Sequence, residues 1–248
     1  MKIFFSVAAL VAVSGTVAHA GMSFQADVPI AEGVNHNGGA ISSVASSFTP
    51  STQQFTFTVN YSNQLAQGFW LAVSPGADPK GHAGELALMY FDARTLNAPV
   101  LTIYNYNGEN GGSSYFDGSP ASGTQTPGRI ASTLNGFAAT MTAANAGSGR
   151  VFSISFDASV VNSYVPQFPG PDGIEEWTGV EFGSKFGIWF HSFRNLSASY
   201  GSNGFLNNWG GTQGWVDVAN IDTTKVPAPG AIALAGLGGL VATRRRRS

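Results

Sequence analysis

The densest group of chemically capable side chains lies in "GADPKGHAGE", where Asp78, Lys80, His82 and Glu85 fall within eight positions. Two carboxylates this close could form an acid/base pair, and an imidazole beside them could complete a metal site. Gly76, Gly81 and Gly84 in the same stretch supply turns, so a solvated loop leading into a strand accounts for it without chemistry. No partner motif fixes a geometry among the four side chains. His36 in "NHNGG" and His191 in "WFHSF" are isolated, and strand alternation would set His191 on one face with Trp189 and Phe193. No G-x-S-x-G, H-E-x-x-H, P-loop or dinucleotide fingerprint occurs in the sequence. The chain also lacks a paired-carboxylate signature, so a secreted carbohydrate-active hydrolase is the weakest reading. The expectation is a protein without catalytic residues.

Binding chemistry is easier to place. Hard oxygen ligands for calcium occur at Asn107, Glu109 and Asn110 in "NGENGG" and at Asp172, Glu175 and Glu176 in "PDGIEEW". Neither set follows EF-hand spacing, so turn chemistry is the simpler account and no cofactor is expected. A lectin-like site stacks an exposed aromatic face on a sugar and bonds its hydroxyls with Asn, Asp or Glu. Trp209 in "LNNWGGTQGW", flanked by Asn207, Asn208 and two glycines, fits that role as a loop aromatic. Trp177, beside Glu175 and Glu176, is the second candidate. Trp70 and Trp189 lie in apolar runs and read as core.

The elements that must carry these side chains are strands. "FTFTV" (Phe55 to Val59) alternates Phe55, Phe57 and Val59 with threonines, and "VFSISF" (Val151 to Phe156) alternates Phe152, Ile154 and Phe156 with serines. "GFWLAV", "ELALMYF", "VLTIYNY" and "FGIWFHSF" are further strand candidates, separated by Gly-, Pro- and Asn-rich punctuation. One short helix is expected in "ASVVNSYV", with Asp157 as its N-cap. The sum predicts an all-β fold, a single antiparallel β-sandwich of jelly-roll or lectin-like type over residues 21–225.

Composition agrees with an exported β protein. Only 10% of the 248 residues are charged, 32 are glycine and none is cysteine, so disulfides and thiolate metal sites are impossible. The net charge of −2 hides an asymmetry, because Lys2 and Arg244 to Arg247 lie in the terminal segments. Between them seven basic residues face fourteen acidic ones. An acidic body speaks against nucleic-acid partners, which require a basic footprint.

The two ends read as addresses. "MKIFFSVAALVAVSGTVAHA" has one Lys, an apolar run and then Ala18 and Ala20 at the small-residue positions read by signal peptidase, so cleavage before Gly21 is expected. At the other end, Val226-Pro227-Ala228-Pro229-Gly230 precedes the apolar run Ala231 to Ala242 and the cluster Arg244, Arg245, Arg246 and Arg247. As a helix the apolar run spans ~18 Å, short of the ~30 Å hydrocarbon core. It could hold the chain in the inner membrane only transiently, with the arginines cytoplasmic and the acidic body outside. This three-part tail resembles a PEP-CTERM sorting signal, the C-terminal tag processed by exosortases in bacteria with outer membranes. Ala228 stands where that family's name-giving motif has glutamate. A rhomboid-processed tail would carry its glycine pair ahead of the apolar run, whereas Gly238-Gly239 lies within it. A plain tail anchor and a basic binding tail are the other readings of the segment. Parts of the body, "GFWLAVSPGADPKGHAGELALMYFDA" and "FGIWFHSF" through "GWVDVAN", also look like domains that precede this tag, a likeness that adds no mechanism.

The resemblance implies an exosortase-type processing enzyme as partner, in addition to signal peptidase, and delivery to the cell surface or a polysaccharide-rich extracellular matrix. Exopolysaccharide is then a further expected partner. The expected organisation is a signal peptide over 1–20, a β-sandwich ectodomain over 21–225 and a sorting tag with a short hydrophobic helix over 226–248.

Overall fold

The computed structural model describes residues 21–27, 36–74, 86–106, 128–165, 177–181, 185–222 and 224–226. Among the described residues twelve strands form two six-stranded antiparallel sheets, and the chain is all-β. In chain order they are β1 (Gly21–Asp27), β2 (Ile41–Thr49), β3 (Gln54–Tyr61), β4 (Gly68–Ser74), β5 (Leu86–Asp92) and β6 (Val100–Tyr106). There follow β7 (Arg129–Ser132), β8 (Thr140–Ala146), β9 (Gly149–Asp157), β10 (Lys185–Tyr200), β11 (Leu206–Asp222) and β12 (Thr224–Val226). Sheet A runs β12-β1-β2-β3-β9-β8 and sheet B runs β11-β10-β4-β5-β6-β7.

The strands with clean alternation behave as their sequences predict. Phe55, Phe57 and Val59 of β3 and Phe152, Ile154 and Phe156 of β9 are buried, while the intervening Thr and Ser are partly exposed. These side chains meet Phe69, Leu71 and Val73 of β4, Met89 and Phe91 of β5, and Ile188 and Phe190 of β10 in one core supplied by both sheets. Aromatic contacts cross it, with Phe57 and Phe69 at 5.6 Å between ring centroids and Phe91 and Phe152 at 5.4 Å.

The predicted helix is present as a single turn, α1 (Ser159–Asn162). Asp157 lies one residue too early to be its N-cap, which is Ala158, yet its carboxylate still accepts from the Ser159 N–H at 2.9 Å and from the Ser159 hydroxyl. These bonds hold the Asp157 carboxyl below its usual pKa.

The largest departure from the sequence reading is β11. "LNNWGGTQGW" has no period-2 apolar pattern and reads as a loop, but it begins a 17-residue strand that pairs along β10 from Tyr200 back to Lys185. Long-range pairing overrides a weak local preference here, as strand propensity allows. Bulges between Arg194 and Ser197, with Asn195 at φ 52°, bend the outer half of this hairpin.

Candidate functional site

Sheet B is buried on both of its faces at its centre. Every residue of β5 is buried, the pattern expected of a strand covered on both sides. On the face away from the shared core, Trp70, Leu86, Leu88, Tyr90, Tyr104 and Phe193 form a second apolar cluster with Leu196, Phe205 and Leu206. The last three belong to the bent outer part of the β10–β11 hairpin, which covers this face.

Gly68 leaves room for that cover, since a Cβ there would sit 3.0 Å from Leu196 Cδ2 and collide with the Phe91 carbonyl oxygen. Polar bonds then fasten the hairpin down. The Leu206 N–H donates to Tyr104 Oη at 3.0 Å, and Ser132 Oγ donates to the Gly204 carbonyl at 2.6 Å. The Leu196 N–H donates to Gln67 Oε1 at 2.7 Å, and Tyr200 Oη donates to Asp92 Oδ2 at 2.9 Å. Asp92 also receives Arg94 Nη2 at 2.7 Å and Nε at 3.0 Å. This carboxylate raises the Arg94 pKa above its ordinary value. Burial, with Tyr90 and Asp92 close by, pushes the Tyr200 phenol far above its own. No sequence motif marks the Asp92–Arg94–Tyr200 group. Its one local signal is an Asp two residues before an Arg at a strand end.

The register across sheet B aligns an aromatic row. Trp215 lies opposite His191, His191 opposite Trp70, and Trp70 opposite Tyr90. Trp70 and Tyr90 are 4.5 Å apart, His191 and Trp215 6.2 Å. Trp189 packs on His191 at 4.2 Å, so the strand alternation expected around His191 holds. At the β11 end the row reaches the surface, where Trp215 is 38% exposed and Gln213, two residues away on the same face, is exposed too.

The sequence candidates are redistributed by this arrangement. Trp209 is a strand residue rather than a loop aromatic, partly buried against Phe193 at 4.8 Å and edge-on to Trp70 at 5.7 Å. Asn207 and Asn208 are exposed at the start of β11. Trp177 packs against the main core, donates its indole N–H to the Val161 carbonyl at 2.9 Å and meets Tyr164 edge-on at 5.2 Å. Trp70 is buried as expected, but on the outer face of sheet B rather than between the sheets. Trp215, which no local pattern marks, is the tryptophan most open to solvent among the described residues.

His36 is exposed, its carbonyl accepting from the Gly39 N–H in a turn. Asp78, Lys80, His82 and Glu85 lie outside the described residues, as do the calcium candidates Asn107, Glu109, Asn110, Asp172, Glu175 and Glu176. Ala18, Ala20, Pro227, Ala228, Pro229, Gly230 and Arg244 to Arg247 also lie outside them, whereas Gly21 opens β1 and Val226 closes β12. Among the described residues no group of three or more His, Asp or Glu is placed to hold a metal ion, and no helix is long and apolar enough to cross a membrane. No family model, curated protein or solved structure matches the chain.

Proposed function

We propose that this chain is an exported, non-enzymatic protein whose β-sandwich body, of jelly-roll or lectin-like type, is delivered to the cell surface or extracellular matrix. Delivery depends on a C-terminal tag removed by an exosortase-type transpeptidase after transient insertion in the inner membrane. The observation that carries the reading is the order of the tail: Val226 to Gly230, then the apolar run to Ala242, then Arg244 to Arg247. The charge layout supports it, since an acidic body and a terminal arginine cluster favour opposite sides of a membrane. Replacing Arg244 to Arg247 with serine tests it. The expected result is an altered location and loss of a processing step seen as a mass shift. Wild-type protein from the native host that keeps all four arginines would overturn the reading.

A second reading, a glycan-binding module, draws support from the open end of the aromatic row. Trp215 offers a ring face and Gln213 an amide on the same face of an edge strand, the pairing of stacking and hydrogen bonding that sugar recognition uses. On a glycan array, Trp215→Ala is expected to abolish a signal that the wild-type chain gives. Absence of binding to any sugar by the wild-type chain sinks this reading.

A further inference from the structure

We infer that β12 belongs to the folded body rather than to the removable tail, and that it clips the strand beginning at the export-cleavage point. The inference rests on the export-and-tag reading above and adds a boundary to it. β12 ends sheet A and pairs with β1 in the register Gly21↔Val226, Met22↔Lys225 and Ser23↔Thr224. β1 is held on its other side by β2, from Met22↔Phe48 to Asp27↔Ser43. The two junctions expected to be cut, before Gly21 and after the body, thus meet at one corner of the sheet. Facing residues of an antiparallel pair are only ~5 Å apart.

The local chemistry at Val226 suits the end of a ladder. Pro227 has no N–H to donate, and a residue that precedes proline is held extended, which suits Val226 as the last ladder position. Peptide-processing sites that take an extended segment make their own main-chain bonds to it, so a segment already in a ladder must open first. Residues 224–226 are in such a ladder. The tail is therefore removed after Val226. Water, or an acceptor amine in a transfer, attacks the carbonyl carbon of the bond that breaks. The new acyl end stays on the body, as a carboxylate or an amide, and a free amine leaves with the tail. Sheet A keeps all six strands.

The absence of cysteine makes a direct test possible in the full-length chain. Met22→Cys with Lys225→Cys places two thiols at facing positions, where Cβ separations of ~4.5–5.5 Å lie close to disulfide geometry. Oxidation is expected to give an intramolecular disulfide. Met22→Cys with Thr224→Cys, one residue out of register, is expected to give roughly tenfold less. Intact mass of wild-type protein from the native host supplies the second readout, with a C-terminal residue expected between Val226 and Thr243, the arginines gone. A C-terminus upstream of Val226 overturns retention of β12. Equal crosslinking of the two cysteine pairs, with the tail removed, overturns the clip and leaves the tag reading standing. A mature chain that still carries its arginines removes the tag reading and the processing boundary with it, even where the disulfide forms.

Discussion

Thr56 and Trp70 both point away from the core that the two sheets share, yet Thr56 lies on a solvated face and Trp70 is 3% exposed. The outer face of sheet A is a lattice of hydroxyls. Ser47, Thr56, Ser155 and Thr140 occupy one register row across β2, β3, β9 and β8. Thr56 and Ser155 share a hydrogen bond of 2.9 Å, as do Thr58 and Ser153, and Asn60 donates to Ser43 Oγ at 3.0 Å. The outer face of sheet B carries Trp70, Leu88, Tyr90 and Tyr104 in the corresponding places and is covered by the end of the β10–β11 hairpin. One face satisfies its polar groups within itself and remains wet. The other needs a cover, and the cover needs polar fastenings such as Tyr200 on Asp92. The second arrangement turns a surface into a second core.

The largest expected effect tests that last statement. Trp70→Ala removes a buried indole in contact with Tyr90, Tyr104 and Trp209, and a loss of about 3–5 kcal/mol is expected in urea unfolding. A loss no greater than that of a surface threonine would mean that sheet B has no second core.

An intermediate effect is expected at the fastening. Tyr200→Phe leaves Asp92 and Arg94 paired but deletes one bond to a buried carboxylate, for a loss of about 1–3 kcal/mol. The same phenol governs behaviour in alkali. Its pKa is raised in the folded state, so above the ordinary phenol pKa of about 10 the unfolded chain releases a proton that the folded chain keeps. The stability linked to this group is complete below that pH and falls by about 1.4 kcal/mol per pH unit above it. Tyr61, buried between the sheets, adds a second phenol of the same sign, its pKa raised by burial. Tyr200→Phe should therefore make the alkaline decline shallower by one proton without removing it. An unchanged slope would place the Tyr200 hydroxyl in water.

The smallest effect belongs to the hydroxyl face. Thr58→Val keeps the β-branched shape and deletes the bond to Ser153, and a change of about 0.5 kcal/mol or less is expected. A loss above 2 kcal/mol would make this face as structural as its counterpart.

The strands of the shared core were legible because period-2 alternation is written in neighbouring residues. Phe55, Phe57 and Val59 could be assigned inward from five letters, and so could Phe152, Ile154 and Phe156. The strands of sheet B were legible as apolar runs, since β5 is buried throughout, although nothing local says what covers its second face. β1, β2, β7 and β8 are not legible in this way, because small and polar residues such as "SSVAS" and "TMTAANA" carry little apolar contrast. The asparagine and glycine neighbours of Trp209 are strong punctuation and point to a loop, whereas the exposure of Trp215 depends on its lying in an edge strand, which no local pattern shows.

The sequence by itself determined the all-β character, the exclusion of thiol chemistry, the acidic body between basic ends and the inward residues of β3 and β9. These follow from composition and from contacts between residues close along the chain. Only the tertiary structure decided that a glycine-rich segment is a strand, that Trp70 lies under a cover, and that Gly21 faces Val226. Each of these depends on main-chain pairing between distant segments. A glycine backbone takes up such pairing when a long partner strand is present, and its own side chains do not announce it.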